Sequence, residues 1–303
     1  MRRVSIIIPS LNQAQFIGHA LRSIFAQKWP VEVIVIDGGS SDGTIKILRE
    51  YESRLSYWVS EPDRGQSHAI NKGLSRVASE IWMYLNSDDF LTPGALSKAA
   101  AAFENSDVDW VSGAAFVVDA RGQCTGKITP EAPEQLKDYL APWSRQGGYP
   151  FPFSGACLMR RKVYEEIGEF DESLHFSMDM EYYNRALFVG KFKQTIIKDV
   201  LACWQIHDRT KTSRRGTAYG FRKDELEIAR RYINFLPARE RGELMHEMIA
   251  QDRMLPVREA MWLIESGHRR RALSLAVSAF SRAPSLITSR PWLGAVRRAI
   301  MGW

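Results

Sequence analysis

Residues 31–44, VEVIVIDGGSSDGT, contain the pattern from which the fold can be predicted. Val31–Ile36 is a short apolar run, which is typical of a strand buried on both faces of a sheet. Residues 37–43 combine Asp, Gly and Ser, and this composition indicates a loop. Thr44–Tyr51 has the pattern of a helix, so the stretch predicts a strand, a loop and a helix in succession.

The same alternation continues on both sides of this stretch. Further strands are predicted at Val4–Ile8, Tyr57–Val59 and Ile81–Leu85, and further helices at Ala14–Gln27, Gln66–Val77 and Pro93–Phe103. Strands that alternate with helices at this spacing form a mostly parallel sheet through right-handed crossovers. We therefore predict an α/β fold with helices on both faces of the sheet.

The rest of the chain follows a different pattern. The middle predicts strands at Trp110–Val118 and Gln123–Ile128, a loop over a site at Pro142–Pro152, helices at Arg161–Ile167 and Asp179–Val189, and one long strand or a strand pair at Phe192–Gln205. After Thr212 only helices are predicted, at Ala218–Tyr232, Pro237–Gln251, Pro256–Glu265 and Arg270–Phe280. We therefore predict a first domain at residues 1–212 and a basic helical region at residues 213–303.

Composition and cysteine usage narrow the class of protein. The chain has 303 residues, of which 45% are hydrophobic and 25% charged, as in ordinary globular proteins. No apolar run approaches the roughly 18–20 residues of a membrane helix. Cys124, Cys157 and Cys203 are widely spaced and form neither a zinc pattern nor a disulfide framework, which favours a reducing compartment. We therefore expect a cytoplasmic protein.

Charge is distributed unevenly along the chain. Residues 209–303 contain 19 Lys and Arg against 9 Asp and Glu, whereas residues 1–208 contain 22 against 26. This asymmetry suggests a polyanionic neighbour, either nucleic acid or the anionic inner face of the cell membrane. No nucleic-acid-binding motif accompanies the charge, so we expect no nucleic acid. A helical cap with solvated arginines explains the same charge as well as membrane docking does.

Carboxylates follow three of the predicted strands. Asp37 ends the second strand, Asp63 follows the third, and Asp88 and Asp89 follow the fourth. In an open parallel sheet, ligands bind beyond these carboxyl ends. The carboxylates would repel one another unless a cation or hydrogen-bond donors lay between them, and a nucleotide with a divalent metal meets that condition. Neither a G-x-G-x-x-G dinucleotide motif after the first strand nor a P-loop is present, which excludes the commonest nucleotide cradles.

These stretches, taken in order, resemble the family 2 glycosyltransferases of GT-A fold, in particular enzymes that build bacterial surface polysaccharides. The matching motifs are VSIIIPSLN at 4–12, DGGSSDGT at 37–44, EPDRGQ at 61–66, NKG at 71–73, LNSDD at 85–89 with Pro93-Gly94, GEFDE at 168–172, MDME at 178–181, and His207 with RTKTS at 209–213. The resemblance implies a Rossmann-like mixed sheet plus a C-terminal helical segment. It also implies inverting transfer of a sugar from a UDP or GDP donor to a polysaccharide or lipid-linked saccharide, such as one carried on a polyprenyl diphosphate.

The resemblance assigns the donor site residue by residue. Asp37 and Asp63 match positions that contact the base or ribose. The other expected contacts with the nucleotide sugar are Pro9, Asn12, Gly38, Ser40, Gln66, Lys72 and Asn86. Capping of the following helix is the main interpretation of Asp42, since Asp is a preferred capping residue.

The family's metal motif is D-x-D, and here it is Asn86-Ser87-Asp88. Asp88 matches the ligand of a Mn²⁺ or Mg²⁺ ion that bridges to the diphosphate. Asn86 departs from the motif, because an amide can bind a ribose hydroxyl but brings no charge. His207 matches a late histidine that contacts the metal or the diphosphate, and an imidazole ligand would favour Mn²⁺.

Asp179 matches the general base that deprotonates the acceptor hydroxyl, and Glu181 is the alternate base. Asp179 also opens a predicted helix, and its structural interpretation is that it caps this helix. One residue could act both as the cap and as the general base. Trp143, Tyr149 and residues 151–155 lie where the family binds its acceptor, although packing on the core explains these aromatic residues equally well.

Two other functions remain open from the residues. A sugar nucleotidyltransferase would need a basic, Gly-rich triphosphate loop after the first strand, and Asn12-Gln13-Ala14 offers none. A non-catalytic sugar-nucleotide-binding or scaffold protein at the membrane is favoured by Asn86, whereas Asp88, Asp179 and His207 argue against it.

Overall fold

The computed structural model describes residues 3–143, 151–213, 217–282 and 293. Tyr149, singled out above, lies outside these ranges, as do Arg290, Trp292, Arg297, Arg298 and Trp303 of the predicted basic region. The chain divides into two compact units, the first formed by residues 1–134 and 145–206 and the second by residues 135–144 and 207–303. The domain division at residue 212 stays a prediction.

The first unit is built on one sheet. Its strands are β1 (Val4–Ser10), β2 (Val31–Asp37), β3 (Tyr57–Ser60), β4 (Ile81–Tyr84), β5 (Phe90–Leu91), β6 (Trp110–Val118), β7 (Cys124–Ile128), β8 (Cys157–Arg160) and β9 (Gln194–Gln205). They lie in the order β3-β2-β1-β4-β8-β6-β9-β5, and β7 pairs with β6. Six of these nine described strands run in one direction, because only β5, β7 and β8 are antiparallel to the others. The predicted α/β fold with a mostly parallel sheet is confirmed.

Helices cover both faces of this sheet. They are α1 (Ile17–Phe25), α2 (Thr44–Tyr51), α3 (Gln66–Leu74), α4 (Ala95–Ala102), α5 (Arg161–Ile167) and α6 (Met178–Phe188). On one face, Ile6 and Ile8 of β1 belong to a large buried cluster with Leu21 of α1. On the other face, Ile34 and Ile36 of β2 pack with Ala69 of α3. Alternate side chains of each strand therefore serve two cores, as expected for a sheet buried on both faces.

The second unit is helical. It contains α7 (Thr217–Tyr232), α8 (Ala238–Glu265) and α9 (Arg269–Arg282). The predicted helices Pro237–Gln251 and Pro256–Glu265 are wrong as separate elements, because α8 continues through Pro256. Leu244 and Met248 are buried before the proline, and Val257 and Leu263 after it. We attribute the continuity to this packing, which offsets the hydrogen bond that proline cannot donate.

Residues 135–144 belong to the helical unit through contacts with α8. The Lys137 N–H donates to Glu240 Oε2 at 2.8 Å, and Lys137 Nζ donates to Glu247 Oε1 at 3.0 Å. Sequence order alone gives no sign of this placement. Within the described residues, the structure has no helix that is both long and apolar enough to span a membrane.

Candidate active site

The loops after β1 and β2 are joined by hydrogen bonds between their side chains and backbones. Asn12 adopts a left-handed conformation with φ of 53°. Its N–H donates to Ser40 Oγ at 2.6 Å, and its Oδ1 accepts from the Ser41 N–H at 2.9 Å. Asn tolerates this backbone region better than most residues. The two predicted donor residues Asn12 and Ser40 are therefore in direct contact.

Asp37 organises the loop after β2. Its carboxylate is fully buried. It accepts hydrogen bonds from the Gly39 N–H at 3.1 Å, the Ser40 N–H at 2.8 Å, Ser40 Oγ at 2.6 Å and Ser60 Oγ at 2.7 Å. An ionised carboxylate has about four acceptor sites. These four bonds therefore use the full capacity of Asp37, and a base or ribose would have to displace one of them.

Asp63 lies against the same loop. Its Oδ1 accepts from the Gly65 N–H at 2.8 Å. A Cβ added to Gly38 would lie 2.6 Å from Asp63 Oδ2, so only glycine fits there without a shift of Asp63. The Gly38 N–H donates to the carbonyl of Ser10, the residue after Pro9, at 2.8 Å. The structure thus brings Pro9, Gly38 and Asp63 to one end of the sheet.

Asp42 serves the start of α2. Its Oδ1 accepts from the N–H of Thr44 at 3.1 Å and from Thr44 Oγ1, and its Oδ2 accepts from the Ala14 N–H at 3.0 Å. Burial is the largest single effect and raises the pKa of this carboxyl, but the hydrogen bonds from Thr44 and Ala14 together outweigh burial and lower the pKa overall. The N-cap position of α2 is Gly43 rather than Asp42, so Asp42 satisfies the N–H of the first helical residue from one position further upstream.

A chain of hydrogen bonds connects the start of α3 with the ends of β4 and β9. Gln66 Nε2 donates to Asn86 Oδ1 at 2.7 Å, and Asn86 Nδ2 donates to Asp89 Oδ2 at 3.0 Å. Asp89 Oδ1 accepts from the Gln205 N–H at 3.0 Å. Asn86, where the family motif has Asp, therefore works as both donor and acceptor. Three stretches separated by up to 139 residues meet at this point.

The two adjacent aspartates differ in environment. Asp89 is buried, and burial raises the pKa of its carboxyl well above the ordinary value, with a further increase from the negative charge of Asp88. Asp88 is half-buried. Because Asp89 is buried and Asp88 is only half-buried, Asp88 is the more accessible of the two.

The residues fit a divalent metal that is held jointly with a substrate. No group of three or more His, Cys, Asp and Glu side chains that could hold a metal occurs in the described part of the chain. Mg²⁺ is commonly held by one or two carboxylates together with substrate phosphates. Asp88 with a bound diphosphate meets that requirement, whereas a metal cage made entirely of protein ligands does not match the donor set.

His207, in the second unit, is buried and held by its neighbours. Its N–H donates to Thr210 Oγ1 at 3.0 Å, and its Nδ1 accepts from the Arg209 N–H at 3.2 Å. A neutral imidazole whose Nδ1 accepts carries its proton on Nε2. The expected contact of His207 with the metal or the diphosphate stays a prediction.

Asp179 lies in the first turn of α6, where the helix dipole favours a negative charge. It is half-buried, and its Oδ1 accepts from the Met180 N–H at 2.8 Å. Burial raises the pKa of Tyr84 and of Tyr183, and the charge of Asp179 raises both further. Asp179 therefore lies close to these two phenols, which line one cavity together with Ser154.

Glu181 is in a different position from Asp179. It is buried, and its Oε2 accepts from Arg185 at 2.9 Å. Arg185 also donates to the carbonyls of Ile167 at 2.6 Å and Glu169 at 2.7 Å. Breaking a buried pair of this kind is costly. This geometry favours Asp179 over Glu181 as the residue that meets an acceptor.

Lys72 is paired at the surface. Its ammonium group lies 2.7 Å from Glu61 Oε1. The hydrogen bond from Lys72 lowers the pKa of the Glu61 carboxyl. The expected contact between Lys72 and the donor stays a prediction.

The aromatic residues of the expected acceptor site separate into different environments. Phe151 is buried and packs on Tyr183 with ring centroids 5.5 Å apart, so it is part of the core. Phe153 is half-buried and stacks on Trp204 at 5.8 Å. The Arg222 guanidinium lies 4.9 Å above the Trp143 ring in the helical unit. Sequence reasoning missed Trp204 and Gln205, although both directly precede the His207 motif.

The sheet, its helices and the polar strand ends define a nucleotide-binding protein of the α/β class, with carboxylates at the carboxyl edge of the parallel strands. The model of the family described as glycosyl transferase family 2 matches residues 5–168. The chain belongs to this family and is a family 2 glycosyltransferase.

Similar proteins agree with this membership. The uncharacterized glycosyltransferase alr2836 of Nostoc sp. is 23% identical over 242 residues, which cover 77% of this chain and 74% of that protein. Staphylococcus aureus TarS 1–349 in complex with UDP-GlcNAc has a TM-score of 0.61 at 16% identity, with 99% of this chain and 92% of that chain covered. The mannosyltransferase PcManGT of Pyrobaculum calidifontis, in complex with GDP-Man and Mn²⁺, has a TM-score of 0.58 at 18% identity, covering 98% and 84%. The chain spans 55% of a longer TarS structure.

Proposed function

We propose that this enzyme is an inverting, metal-dependent glycosyltransferase that moves a sugar from a UDP- or GDP-linked donor to a polysaccharide or lipid-linked saccharide. The observation that supports the proposal is the hydrogen-bond chain from Gln66 through Asn86 and Asp89 to Gln205, which lies beside Asp88 and follows the end of β4. We also propose that residues 1–212 form the catalytic domain and residues 213–303 a basic helical region.

The nucleotide would bind across the loops after the first three strands. Asp63 offers a carboxylate, and Gly38 allows a close approach to the backbone. Asp37 shapes the loop after β2, which contains Gly38. The donor contacts in this proposal are Pro9, Asn12, Asp37, Gly38, Ser40, Asp63, Gln66, Lys72 and Asn86. The complexes of TarS with UDP-GlcNAc and of PcManGT with GDP-Man support a nucleotide-sugar donor.

Asp88 would hold the metal, Mn²⁺ or Mg²⁺, together with the diphosphate. When bound, the metal neutralises the charge that develops on the leaving diphosphate. His207 would contact the metal or the diphosphate.

Asp179 would act as the general base. It takes the proton from the acceptor hydroxyl while that oxygen forms a bond to the anomeric carbon and the nucleoside diphosphate leaves. This single displacement inverts the anomeric centre and requires no enzyme nucleophile.

The acceptor is a saccharide, free or carried on a polyprenyl diphosphate, and it would approach from the side of Phe153 and Trp204. A polyprenyl carrier would place the reaction at the cytoplasmic face of the membrane. The exposed arginines Arg269, Arg270 and Arg271 of the helical unit suit an anionic lipid surface.

The test is release of nucleoside diphosphate from UDP-GlcNAc, UDP-Glc and GDP-Man by the purified chain, with and without Mn²⁺. We expect release from one donor class only with the metal. Asp179→Asn should abolish sugar transfer and keep the thermal shift that the nucleoside diphosphate produces with Mn²⁺. Asp88→Asn should lose that metal-dependent shift.

Asp107→Asn is the matched control, because Asp107 is exposed and pairs with Lys193 at 3.4 Å before the amino ends of β6 and β9, not at the carboxyl ends of the strands. It should behave as wild type. Transfer at the wild-type rate by Asp179→Asn would exclude Asp179 as the base. Retention of the donor's anomeric configuration in the product, measured by NMR, would exclude single displacement.

A further inference from the structure

An ion pair joins two loops of the first unit that are far apart in sequence. Arg64 Nε donates to Glu172 Oε2 at 2.8 Å, and Arg64 Nη2 donates to Glu172 Oε1 at 3.0 Å. The bond is therefore bidentate, the geometry that fits the planar guanidinium to a carboxylate. The side chain of Arg64 is 68% exposed and that of Glu172 is 29% exposed.

On one side, the pair is attached to the loop that holds the expected base contact. Arg64 follows Asp63 directly, and the Gly65 N–H donates to Asp63 Oδ1. The Arg64 N–H donates to His68 Nδ1 at 3.1 Å, which ties the loop to the first turn of α3. A movement of Arg64 would therefore also move Asp63.

On the other side, Glu172 lies in the segment that leads into α6 and Asp179. Two further contacts with α3 hold the ends of this segment. The Asn71 side chain bonds both backbone groups of Phe170 at 2.9 Å, and Ser67 Oγ donates to Met178 Sδ at 2.8 Å. Arg64 thus holds the middle of a segment whose ends are docked on the same helix.

We propose that Arg64 and Glu172 form a clasp that sets the spacing between the donor loop at residues 61–66 and the segment that positions Asp179. The clasp rests on the proposed function, since it positions the residues of that reaction and contacts no reacting atom itself. Its chemistry requires the forked guanidinium, because a lysine ammonium cannot form two parallel bonds to one carboxylate. Both residues are positioning residues.

The physical effect of the clasp is alignment. An exposed ion pair adds little to global stability. Misplacement of a reacting group by about 1 Å, in contrast, can cost on the order of 100-fold in rate. Loss of the clasp should therefore leave the fold intact and reduce turnover.

The experiment compares wild type with Arg64→Ala, Arg64→Lys, Glu172→Gln and the exchanged pair Arg64→Glu/Glu172→Arg. Hydrogen exchange reports on the backbone of residues 168–178, and release of nucleoside diphosphate reports turnover. We expect faster exchange in that segment and about tenfold lower kcat for the single variants, with a smaller change in the dissociation constant of UDP with Mn²⁺. The exchanged pair should recover to within about threefold of wild type, and Arg64→Lys should remain impaired.

Arg239→Ala is the matched control, since Arg239 forms an exposed pair with Glu243 at 3.1 Å in the helical unit. It should change neither measurement. Unchanged exchange and kcat in Arg64→Ala, or an exchanged pair no better than its single variants, would overturn the clasp. If wild type neither binds a nucleoside diphosphate nor releases one from any donor, the proposed function fails. The clasp is then tested by hydrogen exchange of residues 168–178 alone.

Discussion

Asp37 shows how one buried residue supports the structure of a loop. It is fully buried and accepts bonds from Gly39, Ser40 and Ser60. A buried acceptor of this kind stabilises the loop by satisfying N–H groups that water cannot reach. Asp37 therefore holds the loop after β2 in place, and its contact with a nucleotide stays part of the proposed function.

We predict that Asp37→Asn lowers the free energy of unfolding by about 2 kcal/mol, because the new NH₂ group would face backbone donors and leave one without an acceptor. Urea unfolding followed by circular dichroism measures the loss. Asp42→Asn in the same loop is the control, since Asp42 is exposed and should cost less than about 1 kcal/mol. Equal losses in the two variants would refute the importance of burial at Asp37.

The packing of α3 on β1 depends on a glycine. A Cβ on Gly73 would overlap the side chain of Ile7 in the centre of the sheet. Helix and strand can approach this closely only because Gly73 has no side chain. The same helix carries Gln66, Ser67 and Asn71, so its position sets both the Asn86 network and the segment before Asp179.

We predict that Gly73→Ala destabilises the protein by about 1–3 kcal/mol through overpacking. Gly242→Ala in α8 is the matched change, because no atom lies within 4 Å of its added Cβ. That variant should gain about 0.5–1 kcal/mol from the helix preference for alanine. Urea unfolding should show a lower free energy of unfolding for Gly73→Ala and a higher one for Gly242→Ala. A higher free energy of unfolding for Gly73→Ala would disprove the close contact.

Glu225 makes the stability of α7 depend on pH. Burial raises the pKa of its carboxyl to about 7, although Arg222 and Arg258 act to lower it, and Asp224 raises it further. The ordinary value is 4.5. The folded state therefore favours the protonated carboxyl, so this contribution to stability is complete below pH 4.5 and is lost as the pH rises through about 7.

We predict that Glu225→Gln removes this pH dependence and stabilises the protein at pH 8 by up to about 3 kcal/mol. Urea unfolding at pH 5, 6, 7 and 8, followed by tryptophan fluorescence, measures the effect. Glu227→Gln on the same helix is the control, because Glu227 is 46% exposed and pairs with Arg231. A parallel pH profile in wild type and Glu225→Gln would contradict the prediction.

At the scale of the whole molecule, charge separates the two parts of the chain. Residues 209–303 carry the entire excess of basic residues, and Arg269, Arg270 and Arg271 begin α9 in exposed positions. Each basic residue near an anionic bilayer contributes about 1 kcal/mol to binding. Replacing the three with Gln should therefore weaken binding to phosphatidylglycerol vesicles on the order of 100-fold.

Co-sedimentation with those vesicles at low salt measures this difference, and phosphatidylcholine vesicles are the neutral control. We expect binding to the anionic vesicles only, and weaker binding as salt increases. Absence of wild-type binding to phosphatidylglycerol would favour the alternative that the basic region is only a helical cap.

Much of the first half of the fold was predictable from local pattern. The strands β1, β2 and β4 are apolar runs that end in polar residues, and the predicted helix Thr44–Tyr51 matches α2. Strands β5 and β8 were missed, since each is short and finds its partners only in the assembled sheet. The helix α8 was predicted in two parts, because a proline usually ends a helix and only packing on both sides of it shows otherwise.

The sequence by itself determined the α/β class, the family and the candidate donor, metal and base residues, because apolar periodicity and motif order are local properties of the chain. Only the tertiary structure decided how deeply each of these groups is buried and which partners it contacts. In the folded chain, Gln66, Asn86 and Asp89 form a hydrogen-bond chain, and Asp37 accepts hydrogen bonds from its own loop. Glu181 is buried beside Arg185, and Arg64 forms an ion pair with Glu172. The physical reason is that burial and hydrogen-bond partners depend on residues far apart in sequence, which meet only when the sheet and its helices are assembled.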